Sequence, residues 1–323
     1  MHVHAIQTGT VAIKQRQVRG SGQGFGRRLN TMLDRVWTNP LPIYVWVIEH
    51  PEGIIVVDTG ETARATEPGY FPWWHPYYPL GVREWVRPEE EVGPQLRALG
   101  IPPEEVRWVV LTHLHTDHAG GLAHFPKAEI LLSRTEYQQA CGWQGQMRGY
   151  LPQHWPTWFD PTLISFTPAS VGSFPQSYPV TRAQDVLLVP TAGHTAGHLS
   201  VVVLEDDHTL FLAGDTSYTQ QLTLEEAVDG VAPDKQVSRQ TLQRIHAFTQ
   251  QMPTIYLPSH DPEARERLLH RHPVQVPETS TGHSAPFLIS EGSNAPVFGH
   301  TYALVVSRLR FSRRALEKWR AST

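Results

Sequence analysis

Cysteine is almost absent from this chain: Cys141 stands alone among 323 residues. A single thiol excludes an internal disulfide and suits a reducing compartment. Cys141 itself is expected to be a small packing residue, not a nucleophile. Long apolar runs are missing as well. No stretch offers the roughly 18 apolar residues a membrane-spanning helix needs. The opening Met1-His2-Val3-His4-Ala5-Ile6 lacks the basic patch and apolar run of a secretory leader, so a cytoplasmic location is expected. Charge of one sign is also lacking. A formal net charge of -4 provides neither a basic footprint for nucleic acid nor a strong acidic field. Lysine is scarce beside arginine, a skew to which no function is attached. There is no internal repeat and no low-complexity linker.

What is present is a chain long enough to bury a large core. Short runs rich in Val, Ile and Leu, bounded by turn formers, predict strands over 43–48, 54–57, 106–111, 130–132, 186–189, 200–204, 210–213 and 254–257. A helix is predicted over 88–99, opening on proline and a glutamate run and stopping at Gly100. Another is predicted over 234–250, with Val237, Leu242, Ile245 and Phe248 on one face. Strands mixed with helices indicate layered α/β packing. Three segments stand apart. Residues 19–37 open on a loop rich in Gly and Arg. Residues 70–85 and 143–159 are dense in Trp, Tyr, Phe and Pro. From 273 the composition shifts again and ends rich in Arg. Residues 1–272 therefore read as one domain, to which the motifs below assign the catalysis, and 273–323 as a loosely packed or disordered extension.

The densest chemistry is His113-Leu114-His115-Thr116-Asp117-His118, on the loop leaving the strand 106–111. Open α/β layers commonly place active sites at such strand ends. His113 and His115, two apart on an extended segment, can point the same way. Asp117 and His118 follow after a turn and can face a second ion. Gly120-Gly121 is expected to let the backbone turn tightly afterwards. His194 follows the strand 186–189, Asp215 the strand 210–213 and His260 the strand 254–257. Four strands thus end in a candidate ligand. Imidazole and carboxylate suit zinc, manganese, iron or cobalt, and the lack of thiolates excludes a closed cysteine-type zinc site. His198 is expected to support the ligands. The remaining histidines read as ordinary surface or core residues.

In this pattern the chain resembles the metallo-β-lactamase superfamily: Val57-Asp58-Thr59-Gly60, His113-x-His115-x-Asp117-His118, Gly193-His194-Thr195, Gly214-Asp215 and His260, spread over about residues 3–270. The resemblance implies an αβ/βα four-layer sandwich with a dinuclear metal site at one edge. It implies that one metal takes His113, His115 and His194, that the other takes Asp117, His118 and His260, and that Asp215 bridges them. Zinc is the first expectation, with iron, cobalt and manganese as alternatives. Asp58 becomes a carboxylate that orients the histidine loop. Within the superfamily, Asp215-Thr216-Ser217-Tyr218-Thr219, with Asp229-Gly230-Val231-Ala232-Pro233-Asp234 and Pro258-Ser259-His260-Asp261, is similar to the N-acyl homoserine lactonases, which place a tyrosine three after the bridging aspartate.

That resemblance implies quorum-signal hydrolysis: a metal-bridging hydroxide attacks the lactone carbonyl, Tyr218 donates to the oxyanion or the ring oxygen, and Asp117 shuttles a proton to the leaving alkoxide. Trp73, Trp74, Tyr77, Tyr78, Trp143, Met147, Tyr150, Trp155, Trp158 and Phe159 are candidates for an acyl groove. The 19–37 segment resembles a loop such lactonases use near a dimer contact, which implies a homodimer. A glyoxalase-II-like thioesterase would share every metal ligand and normally lack the Asp215-x-x-Tyr218 pair. A non-catalytic member of the fold would be expected to have lost ligands, and all seven are present.

Overall fold

Alternation within the apolar runs assigns each residue to one of two faces. The computed structural model describes residues 1–275. One sheet holds β1 (His2–Ile13), β2 (Leu41–His50), β3 (Gly53–Val57), β4 (Val82–Trp85), β5 (Val106–Val110), β6 (Glu129–Ser133) and β7 (Thr162–Ile164), in the order β4-β1-β2-β3-β5-β6-β7. The other holds β8 (Tyr178–Pro179), β9 (Val186–Pro190), β10 (Leu199–Leu204), β11 (Thr209–Gly214) and β12 (Thr254–Pro258), in the order β12-β11-β10-β9-β8. Trp46, Ile48, Ile55, Val57 and Val110 share a core with Leu188, Val201, Val203, Leu212 and Leu257 of the second sheet. Their neighbours in sequence point outward. Val45, Val47, Val56 and Val109 pack against Val92, Leu96, Leu122 and Phe125. Val189, Val202, Phe211 and Tyr256 pack against Ile245 and Phe248 of the helix Lys235–Gln251. Helices cover both outer faces, which is the expected αβ/βα sandwich. Burial on both faces explains why the central strands read as continuous apolar runs.

The helix Lys235–Gln251 starts where Asp234 Oδ1 accepts from the backbone N–H groups of Gln236 and Val237 (2.8 and 3.2 Å). Its buried stripe is Ser238, Thr241, Leu242, Ile245, Phe248 and Thr249. Val237, expected on that face, is 37% exposed. The helix expected over 88–99 is divided into a 3₁₀ turn, Pro88–Glu90, and a helix, Val92–Ala98. Glu91 leaves helical geometry at ψ 152°. Its carboxylate accepts from Ala63 N (2.8 Å) and Thr62 Oγ1 (3.0 Å) and lies 2.7 Å from His124 Nε2.

Strand direction brings the site together. β10 is antiparallel to β9 and β11, and β12 is parallel to β11, so β9, β11 and β12 end at one edge. β3 and β5 are parallel. Hydrogen bonds between the sheets join the two sets of ends: Leu199 N donates to Thr112 O (3.0 Å) and Tyr44 N to Ser259 O (2.9 Å).

Val274 is buried beside this sandwich and donates from its backbone to Thr254 O (2.7 Å), so the folded unit runs past the expected boundary at 272. The rest of the expected extension, 276–323, lies outside the described residues. Cys141 is half-buried. No helix among the described residues is long and apolar enough to cross a membrane.

Candidate metal centre

Asp58 ends β3 in the left-handed region at φ 62°, a conformation that Asp tolerates better than most residues. Its carboxylate accepts from Thr112 N (2.8 Å), from Thr112 Oγ1 (2.9 Å) and from His118 Nδ1 (2.8 Å). The histidine loop is therefore oriented by the preceding strand, the role the resemblance implied for Asp58. The paired glycines serve close packing and not a sharp turn. A Cβ on Gly121 would stand 2.2 Å from Thr59 O, and one on Gly120 2.3 Å from Glu61 Oε1.

Tautomers follow from what each ring's outer nitrogen touches. Thr112 gives its hydroxyl proton to Asp58, so it accepts from His113 Nδ1 (3.1 Å) and leaves His113 Nε2 a bare lone pair. His194 Nδ1 lies 3.0 Å from the Asp229 carboxylate, which leaves Nε2 bare. Both bare nitrogens face His115 Nδ1, at 2.9 and 3.0 Å. One ring nitrogen cannot donate to two acceptors. The second cluster repeats the pattern. His260 Nδ1 donates to Pro42 O (2.8 Å), so Nε2 faces Asp117 Oδ2 (3.3 Å) and Asp215 Oδ1 (3.4 Å). His118 Nε2 faces Asp215 Oδ1 at 3.2 Å. Both of these atoms are sealed from solvent and make no hydrogen bond among the described residues. Asp215 Oδ2 lies 3.5 Å from His194 Nε2, so its carboxylate reaches both clusters.

Only positive charge relieves such an arrangement. Burial opposes protonating His118 and His260. Asp215 overcomes it, raising His118 well above its ordinary value and His260 to about 10. Burial also opposes ionising Asp117, but His118 and His260 hold it down to about 2. In the His113–His115–His194 cluster only His194 gains: burial opposes its protonation, and Asp229 and then Asp215 more than reverse this. Burial, then neighbouring imidazoles, pushes His113 far down and His115 to about 3. A proton on His194 serves only one of the two contacts to His115 Nδ1, and protons cannot fill the rest. A divalent cation can, and the nitrogen donors suit one. All seven residues expected as ligands converge here: His113, His115 and His194 form one group, Asp117, His118 and His260 another, and Asp215 joins His113 and His118 in a third.

Four supporting residues escaped sequence reasoning. Asp229 was noticed only as part of a similar stretch, yet it anchors His194. Glu136, fully buried, accepts from Leu114 N (3.1 Å), Thr195 Oγ1 (2.7 Å) and Gly197 N (3.2 Å), tying the loop of His113 to that of His194. Glu61 accepts from Thr116 Oγ1 (2.6 Å), and burial pushes its carboxyl up to about 8. Gln17 hydrogen-bonds the Tyr218 hydroxyl at 3.0 Å. Gln17, Glu61 and Glu136 lie in no motif, because each acts on a partner far away in sequence. His198 supports rather than faces the clusters: its Nε2 accepts from Asp215 N (3.0 Å) and its Nδ1 meets Thr191 Oγ1 (2.9 Å).

A cavity of about 440 Å³ opens onto the clusters, lined by His115, Asp117, His194, Asp215, Tyr218 and His260 together with Trp74, Tyr77, Tyr78, Met147 and Tyr150. The Tyr218 ring stands between them, its centroid 6.4 Å from that of His194 and 5.8 Å from that of His260. Arg28, Leu29 and Met32 add a wall from the helix Gly24–Met32, inside the 19–37 segment. The other groove candidates lie elsewhere. Trp73 is 87% exposed, and Trp143 stacks on the Trp74 ring at 5.1 Å. Trp155 and Phe159 pack on the outer core, and Trp158 is exposed.

A model of the metallo-β-lactamase superfamily matches residues 38–260. The chain belongs to that superfamily. Among its relatives, the N-acyl homoserine lactonase AttM of Rhizobium radiobacter is 27% identical over 271 residues, covering 82% of this chain and 94% of the relative. The N-acyl homoserine lactonase of Bacillus thuringiensis is 26% identical over 226 residues, covering 69% and 82%. An N-acyl homoserine lactone hydrolase solved with N-hexanoyl-L-homoserine at its catalytic metal centre aligns with a TM-score of 0.65 at 22% identity, over 82% of this chain and 94% of the other. The dizinc lactonase AidC aligns at 0.56 with 15% identity, over 80% and 87%. Superfamily membership together with these relatives implies divalent-metal binding and a lactonase-like hydrolase.

Proposed function

We propose that this metallo-β-lactamase-fold protein opens the lactone ring of N-acyl homoserine lactones. The observation that carries the reading is the position of the Tyr218 ring between the two ligand clusters, at the wall of a cavity also lined by Trp74, Tyr77, Tyr78 and Tyr150. His113, His115 and His194 would hold one divalent ion, Asp117, His118 and His260 the other, and Asp215 both. Zinc is the proposed ion. When bound, the pair supplies a hydroxide nucleophile at neutral pH and polarises the carbonyl. The protein supplies the rest. Burial, then Asp215 and Asp229, hold the Tyr218 phenol protonated far beyond neutral pH, so it remains a donor to the developing oxyanion or the ring oxygen. Asp117, whose carboxylate reaches the cavity, carries a proton to the departing alkoxide. The aromatic wall receives the acyl chain and excludes water around the reacting carbonyl.

The test is proton release by metal-replete protein, comparing a medium-chain N-acyl homoserine lactone with S-lactoylglutathione at equal concentration. Faster lactone opening by orders of magnitude upholds the proposal. Reaction of the thioester alone replaces it with a glyoxalase-like hydrolase. Two bound metals with neither substrate turned over would leave the fold and remove the substrate assignment.

A further inference from the structure

We propose that Gln17 sets the direction of the Tyr218 hydroxyl proton and is thus a positioning residue for the ring opening proposed above, on which this inference rests. Gln17 is 4% exposed and sits in the short helix Gln15–Val18. A buried amide needs partners for both its oxygen and its nitrogen. Gln17 Nε2 donates to the Tyr218 hydroxyl (3.0 Å) and to the Tyr77 hydroxyl (2.9 Å), and Tyr77 donates back to Gln17 Oε1 (3.1 Å). Both ends of the amide are thereby paired and both Nε2 protons are engaged.

The consequence falls on Tyr218. A phenol has one proton to give and accepts on the same oxygen. Gln17 occupies the accepting side, and the hydroxyl has no other hydrogen bond among the described residues. Its proton is left for the cavity, which Tyr218 lines together with Asp117, Asp215 and His260. Were Gln17 an acceptor or absent, the proton could rotate away from the reacting carbonyl.

Gln17 is also held in register with the ligands. Gly230 N donates to Gln17 O (2.7 Å) and Gly20 N to Val228 O (2.9 Å). A Cβ on Gly230 would stand 2.1 Å from Arg16 O, so the two segments touch backbone to backbone. Between them lies Asp229, which anchors His194. One rigid corner therefore places the His194 ring and the donor that aims Tyr218. Pre-aligned donors are the ones that contribute to transition-state stabilisation.

A double-mutant cycle on the full-length, metal-loaded protein tests this, with Gln17→Met, Tyr218→Phe and the double variant compared in kcat, KM and melting temperature. Gln17→Met is expected to lower kcat at least about ten-fold with KM nearly unchanged, and to add nothing in the Tyr218→Phe background. Tyr77→Phe, which frees Gln17 Oε1 without touching the ligand loops, is expected to give a smaller loss of the same kind. The Cζ resonance of Tyr218 in tyrosine-labelled protein should shift in Gln17→Met while ligand-histidine resonances stay in place. Equal losses in both backgrounds, or an unmoved Cζ resonance, would overturn the inference and leave the lactonase reading intact. If Tyr218→Phe keeps full kcat, Tyr218 is no donor, and both the inference and that part of the mechanism fall.

Discussion

Each histidine's second nitrogen decides what its first can do, and this separates His260 from His198 within one site. His260 spends Nδ1 on a backbone carbonyl and turns Nε2 to the carboxylates. His198 spends both nitrogens on Thr191 and on the Asp215 backbone, so it braces a ligand. For His118 the deciding partner is Asp58. Carboxylate partners behind ligating histidines typically contribute 10- to 100-fold in metal affinity. Asp58→Asn is therefore expected to weaken metal binding by roughly that factor while the protein stays folded, measured by competition with a chelating dye. Unchanged affinity would remove Asp58 from the site's support. Tyr218→Phe is expected to lower kcat on the order of 10²- to 10³-fold, with metal content unchanged by elemental analysis. At this scale the sequence was most informative, because ligands must carry lone pairs and cluster in motifs. Gln17, Glu61 and Glu136 gave no such signal, since any buried amide or carboxyl may lie anywhere along the chain until folding brings it to its partner.

Elements differ in how openly they announce themselves. The central strands are buried on two faces and read directly as Val, Ile and Leu runs. β1 was not read, because His2–Ile13 mixes His, Gln and Thr with its apolar residues. The aromatic inserts were read as one groove, yet only part of them reaches the cavity. Aromatic content reports a need for burial and not its direction. The break at Glu91 was equally silent: proline, glutamates and a closing glycine suit a single helix, and only the tertiary partners Thr62, Ala63 and His124 pull Glu91 out of it. Burial raises the Glu91 carboxyl, and the Ala63, His124 and Thr62 hydrogen bonds more than reverse this, holding it below 4.5. A depressed folded value means the carboxylate stabilises above the unfolded value and loses that contribution as pH falls. Glu91→Gln is thus expected to cost about 1–2 kcal/mol near pH 7, with the gap to the parent closing as pH falls through the depressed Glu91 value, by denaturant midpoints. A gap independent of pH would show that shape, and not charge, holds Glu91.

For the whole molecule, the metal site is where two sheets are fastened. The proposed ligands come from both, and a cation between them would join the two. Chelation is expected to lower the melting temperature by roughly 5–10 °C, given about 2.7 kcal/mol of linkage at one hundred times the dissociation constant, and zinc should restore it. No shift in either direction would mean that the fastening needs no metal. The cavity volume, near 440 Å³, leads to a further expectation. KM should fall as the acyl chain lengthens and rise again when Met147→Trp fills the aromatic end, measured across a homologous lactone series. The fastening also orders events during synthesis. A growing chain leaves the ribosome with His113, His115, Asp117 and His118 well before Asp215, and His260 only with the last strand of its sheet. An ion that meets the nascent polypeptide therefore finds half of each pocket, and loading of the complete pair waits until β12 has emerged and docked beside β11.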